Sequence, residues 1–219
     1  SSSVMEQELG EKETPVMDSC YSFIDLTKYM HPDLGKDIYG YLTGASDRAG
    51  VKVVSKGKGV GSLEPEETAG LDYRVTSGGD IEKTAPHLWD LYNNPDLLAL
   101  VSQLTGEECA VSRHVPSGTN INDVRTGGRY EMHLDSSPYV LLLFGSSHDK
   151  GGALQMKLNS GSWHSIQPHA GLGVLFDGSI TPHRVQTTPV RRLSVPMVFV
   201  PKGFDEINAR EGGLDEHMY

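Results

Sequence analysis

From Cys109 onward the chain breaks into short apolar segments separated by Gly, Ser, Pro and Asp, and this texture restricts the possible folds more than any other feature. Segments at 110–115, 130–134, 139–144, 154–158, 162–167, 173–176, 183–187 and 192–200 each have strand length and are rich in Val, Leu, Tyr and Phe. About eight short strands at turn spacing predict an antiparallel double sheet, as a sandwich or a barrel. The preceding half reads differently. Residues 21–24 predict a short strand, 33–42 a helix closed by Gly44, and 81–92 a second helix. Asn94 can cap a third helix and Pro95 suits its first position, so 95–104 is expected to be helical and to stop at Gly106. Leu97, Leu98, Leu100, Val101 and Leu104 give that helix a wide apolar stripe, which should pack on the back of a sheet. The expected class is therefore α+β. A polar, disordered tail at 1–16 precedes one domain at 17–219, helix-rich over 17–108 and strand-rich over 109–203. Residues 51–61, alternating in Gly and Lys, read as a surface loop or a weak hairpin, with a lid over the site as the functional alternative.

A length of 219 residues suits one domain with a sizeable core. No apolar run approaches the roughly 20 residues that span a bilayer, so no membrane partner is expected. The net charge of −10 argues against a nucleic-acid backbone as partner, because phosphate binding needs a basic footprint. Cys20 and Cys109 lie far apart and outside any Cys-x-x-Cys pair, which points to a reducing, cytoplasmic compartment and not to a disulfide scaffold. The opening Ser-Ser-Ser and the acidic stretch after it do not read as a secretory signal. Oligomeric state is not legible.

The chemistry concentrates in one constellation. His133 and Asp135 form a His-x-Asp pair, and residues two apart on a strand face the same side. A second histidine, His183, follows 50 residues later. Two imidazoles and one carboxylate on one face of a metal leave positions open for a bidentate co-substrate and oxygen, a set that suits iron(II). Nine residues past His183 stands Arg192, with Ser194 at the next same-face position. A guanidinium fork grips a carboxylate through two hydrogen bonds, and a neighbouring hydroxyl adds a third donor. Arg191 competes with Arg192, but only one of the two can face inward. His148, His164 and His169 are further ring candidates; His148 and His169 fall in turns and are expected to be exposed.

The stretch from about Gly127 to Val200 resembles the iron(II)/2-oxoglutarate oxygenase superfamily, most of all its prolyl-4-hydroxylase-like branch. The residues that carry the resemblance are Tyr130-x-x-His133-x-Asp135, Gly151-Gly152-Ala153-Leu154, Pro168-x-x-Gly171-x-Gly173-Val174-Leu175-Phe176-Asp177-Gly178, His183-x-Val185, Arg192-x-Ser194 and Phe199. The resemblance implies a double-stranded β-helix (a cupin-like jelly roll) with packed amino-terminal helices and the metal between its sheets. It implies that His133, Asp135 and His183 bind iron(II), that Arg192 and Ser194 hold the far carboxylate of 2-oxoglutarate, and that Tyr130 lines the site. It further implies oxygen as co-substrate, ascorbate as a possible reductant, and release of succinate and CO2. In related halogenases a small residue replaces the carboxylate ligand, whereas Asp135 is present here, so hydroxylation is the default outcome.

The substrate is less legible. Arg113, Asn120, Asn122 and Arg125, on the strand before the metal motif and the loop after it, are candidate contacts, as is Arg74 in a loop. No separate peptide-binding module is visible, which favours a small polar metabolite such as an amino acid or biosynthetic intermediate. Two alternatives stand beside this reading: a cupin-like metalloenzyme that does not use 2-oxoglutarate, and a non-catalytic β-barrel binding module.

Overall fold

A computed structural model of the chain describes residues 21–48, 50–55, 63 and 72–211. The expected tail at 1–16 and most of the expected loop at 51–61 lie outside these residues. Among them are twelve strands. β1 is Tyr21–Asp25, β2 Val51–Ser55, β3 Asp72–Thr76, β4 Cys109–Val111, β5 Ile121–Val124 and β6 Tyr130–His133. β7 is Tyr139–Phe144, β8 Leu154–Lys157, β9 Trp163–Ile166, β10 Leu172–Asp177, β11 His183–Val185 and β12 Arg192–Pro201. They form two antiparallel sheets. The larger runs β1-β10-β7-β12-β5-β3-β2, with β4 paired to β12, and the smaller runs β6-β11-β8-β9.

The helices are α1 (Pro32–Lys36), α2 (Ile38–Arg48), α3 (Gly78–Thr84), α4 (Pro86–Tyr92), α5 (Pro95–Thr105), α6 (Val115–Gly118) and α7 (Glu206–Glu211). Their ends follow local chemistry. Asn94 accepts from the amides of Asp96 and Leu97 at the start of α5, and Gly106 closes that helix at φ 75°, where a side chain would be strained. Two helices expected as single pieces are each divided. Asp37 separates α1 from α2, and α2 then continues past Gly44 to Arg48. Ala85 leaves helical geometry before Pro86, because proline disfavours the helical region for the residue ahead of it. None of the described helices is long and apolar enough to cross a membrane.

The two faces of the large sheet have different tasks. Leu193, Val195, Met197, Phe199, Leu141, Leu143 and Leu175 are fully buried and occupy one face. The helices cover it: the Tyr92 ring of α4 lies 5.5 Å from Phe199, and its hydroxyl donates to the Val198 carbonyl at 2.7 Å. The opposite face carries Phe176, Phe144, Ser194, Arg192, Asn122 and Tyr73 and looks onto the small sheet. Three contacts bridge the sheets there. Phe176 meets His183 edge-on at 4.9 Å, Tyr73 stacks on Tyr130 at 4.5 Å, and the Tyr21 hydroxyl bonds His164 Nδ1 at 3.0 Å.

Candidate metal and anion centre

β6 and β11 are neighbours in the small sheet, and their register sets His133 directly opposite His183. Asp135 lies two residues beyond His133, past the strand end, where its amide donates to the Gly178 carbonyl at 2.9 Å. The Asp135 carboxylate thereby returns to the two rings. Its Oδ1 is 3.2 Å from His133 Nε2 and 3.4 Å from His183 Nε2. Both other ring nitrogens are committed: His133 Nδ1 bonds the Glu131 carbonyl and His183 Nδ1 the Thr181 carbonyl, each at 2.8 Å. A carbonyl only accepts, so both Nδ1 atoms carry a proton and both Nε2 atoms turn to the carboxylate. Two ring nitrogens and a carboxylate oxygen this close call for a positive charge among them, a proton or a metal ion. Burial opposes charge on Asp135, but His183 and His133 outweigh it and hold its carboxyl well below the usual range. Burial likewise acts against protonation of His183, and Asp135 overrides it to raise that pKa. Outer bonds from the ligand rings to backbone carbonyls are what metal-binding histidines use to fix tautomer and orientation. The donor set fits a divalent metal.

The carboxylate is placed by an absent side chain. A Cβ on Gly178 would fall 2.0 Å from Asp135 Oδ2, an impossible approach. Glycine at the β10–β11 turn leaves the volume that this oxygen occupies. Tyr130 stands over the His133 ring at 4.4 Å and is itself stacked on buried Tyr73, so an aromatic pair walls one side of the centre.

Arg192 lies on β12, on the same inward face as Ser194, and is 1% exposed. Its Nε donates to the Gly152 carbonyl at 2.7 Å and its Nη1 to Ser194 Oγ at 3.2 Å, and its guanidinium carbon lies 5.6 Å over the Phe144 ring. Among the described residues its Nη2 has no hydrogen-bond partner, and no carboxylate pairs with the guanidinium. Burial alone pushes its pKa down to about 10, so the group stays charged at neutral pH. A buried cation with an unused donor fits a carboxylate ligand. Arg191 faces the other way: its Nε and Nη2 grip Asp123 at 2.9 and 2.7 Å, and Nη2 also meets Asp47 at 3.2 Å.

The remaining candidates separate by strand parity. Asn122 pairs with Ser194 across β5 and β12 and shares its inward face, and the Oδ1 of Asn122 has no partner among the described residues. Asn120 is buried just before β5, its amide donating to the Pro196 carbonyl. Arg74 lies on β3, not in a loop, and with Arg125 faces Asp123 at 3.8 and 3.3 Å on the helix-covered side. On that face both arginines also approach Asp47 of α2, at 3.9 and 3.7 Å. Arg113 is exposed, and its amide binds Glu206 near α7. His148, expected in solvent, is 7% exposed and bonds Ser146 Oγ at 2.6 Å. Tyr73 was missed because no strand is expected over 72–76, and Gly178 stood in the family-like motif without a role of its own.

By sequence the chain matches no described protein family and no curated protein. Its fold has clear counterparts among solved structures. One is a prolyl-4-hydroxylase from Pseudomonas putida, 19% identical, with a TM-score of 0.57 over 92% of this chain and 99% of that one. Another is an oxidoreductase of the 2OG-Fe(II) oxygenase family from Burkholderia pseudomallei, 12% identical, with a TM-score of 0.65 over 91% of each chain. A third is the epimerase SnoN in complex with Fe3+, alpha ketoglutarate and nogalamycin RO, 11% identical, with a TM-score of 0.61 over 93% of this chain and 89% of that one. At these identities the likeness is one of fold.

Proposed function

We propose that this chain is an iron(II)- and 2-oxoglutarate-dependent oxygenase of the prolyl-4-hydroxylase-like branch, built as one double-stranded β-helix domain with its helices on one side. The observation that carries the reading is the pairing of two complementary charge sites on facing sheets. His133, Asp135 and His183 converge as a donor set that suits a cation, and Arg192 is a buried cation whose Nη2 has no partner among the described residues. A divalent metal on the trio and a dicarboxylate on Arg192 would satisfy both.

In this reading His133 Nε2, His183 Nε2 and Asp135 Oδ1 hold the iron, which in the presence of 2-oxoglutarate and oxygen supplies the oxidising power to attack an unactivated C–H bond. Arg192 anchors the far carboxylate of the co-substrate through Nη2, with Ser194 Oγ beside it. The carbonyls of Glu131 and Thr181 keep the Nδ1 protons and so keep both Nε2 lone pairs directed at the centre. Tyr130 backed by Tyr73, together with Phe144 and Phe176, excludes water from the inter-sheet space. Asp135 fills the ligand position that a halide would need, which favours hydroxylation with succinate and CO2 as co-products. Asn122 is the polar side chain best placed to meet substrate or co-substrate. A small polar metabolite is the proposed substrate class. SnoN, which shares the fold, is described in complex with a small molecule, nogalamycin RO.

The test is a screen of amino acids and biosynthetic intermediates with iron(II), 2-oxoglutarate, ascorbate and oxygen. The proposal expects succinate in proportion to a substrate mass gain of one oxygen. Oxygen consumed without succinate would point to a cupin-like metalloenzyme of another kind. A chain that binds no iron would be a binding module.

A further inference from the structure

The same donor set occurs a second time, on the outside of the molecule. His31 precedes α1, Asp33 is in its first turn, and His87 is in the first turn of α4. The His31 and His87 rings stack at 3.8 Å between centroids, only 8° from parallel. Asp33 Oδ2 stands 3.8 Å from His31 Nδ1 and 3.8 Å from His87 Nε2. These separations are too long for hydrogen bonds. They match the spacing of ligands around one ion, because bonds of about 2.0–2.2 Å place neighbouring donors about 3–4 Å apart. One nitrogen from each ring and one carboxylate oxygen all lie within 4.8 Å of one another.

We propose that His31, Asp33 and His87 form a second divalent-metal site, for a late first-row ion such as zinc, that clamps α1 to α4. Two imidazoles and a carboxylate suit that class, and harder ions such as magnesium or calcium prefer oxygen donors. The site differs from the inter-sheet centre in exposure. His31 and Asp33 are exposed and His87 half-buried, so the rings can tilt out of their stack to converge on an ion and the remaining positions stay with water. Beside the site, the His87 amide donates to the Tyr41 hydroxyl at 3.4 Å, which helps to hold the start of α4 against α2. One existing bond must yield: His31 Nδ1 accepts from the Asp33 amide at the start of α1. Coordination through that nitrogen exchanges a helix cap for a metal bond.

Equilibrium dialysis against zinc, with the bound metal counted per chain, tests the site without reference to turnover. His87→Ala and Asp33→Asn should each bind one zinc fewer than the unaltered chain. His31→Asn should do the same, because asparagine preserves the helix cap and removes only the metal ligand. His133→Ala should lose a different zinc, and His133→Ala with His87→Ala should lose both. Zinc titration followed by histidine ring NMR should move the His31 and His87 signals together. If His87→Ala and Asp33→Asn both keep the full count and those two signals stay still, the second site does not exist. That result is independent of the inter-sheet centre, which His133→Ala reports separately.

Discussion

His133 and Asp135 were legible as a pair because strand periodicity alone puts residues two apart on one side. The partner ring, His183, needed only a second strand to be adjacent, and the β6–β11 register supplies it. Gly178 was not legible in its role, because its use depends on where a carboxylate from another strand end arrives. Replacing His133, Asp135 or His183 by alanine should abolish turnover and weaken iron affinity at least about ten-fold while the fold survives, as read by circular dichroism and metal dialysis. Gly178→Ala should weaken iron binding by a similar order, since its methyl takes the place of Asp135 Oδ2. In a double-mutant cycle, Gly178→Ala should add almost nothing once Asp135 is alanine. Full additivity would show that Gly178 acts through the turn and not through Asp135.

At the scale of elements, strand parity separated Arg192 from Arg191. The β12 register turns Leu193 and Val195 to the helices and Arg192 and Ser194 inward. The partner of Arg191 was invisible, because Asp123 lies on β5, a strand too short and polar to be recognised in Asn-Ile-Asn-Asp-Val. The contacts of Arg74 and Arg125 were hidden for the same reason: both face a buried carboxylate on an unrecognised strand. Arg191→Ala should lower the unfolding free energy, because Asp123 is fully buried and loses its shortest contact. The cost should fall below the roughly 3–5 kcal/mol typical of a broken buried pair, since Arg74, Arg125 and the Ser46 hydroxyl remain. Urea unfolding measures it, and unchanged stability would mean that the cluster is ornamental.

For the whole molecule, the sequence yielded the order of texture, helices before strands, but not the sheet order. β1 joins β10 and β5 joins β3 across long sequence separations, so the helix-rich half also supplies three strands of the large sheet. Such pairings are set by packing of distant segments and leave no local signature. Burial of the Arg192 guanidinium opposes its charge, so a carboxylate partner should stabilise the fold. Iron(II) and 2-oxoglutarate together should raise the melting temperature more than iron alone, by about 2.7 kcal/mol of stability at a hundred-fold excess over Kd. An equal shift from iron alone would mean that the folded chain does not bind the co-substrate. The central claim is that the metal trio and Arg192 form one site. Anaerobic titration of 2-oxoglutarate into the iron(II)-loaded chain, followed by the charge-transfer band of the chelate, tests it most directly. A saturable band is expected in the unaltered chain, the same band at nearly the same concentration in Arg191→Ala, and a roughly 30-fold or greater rise in the concentration required in Arg192→Ala, the equivalent of losing about 2–5 kcal/mol of charge-assisted contact. A band that never appears although iron is bound, or one that depends on Arg191 and ignores Arg192, would contradict it.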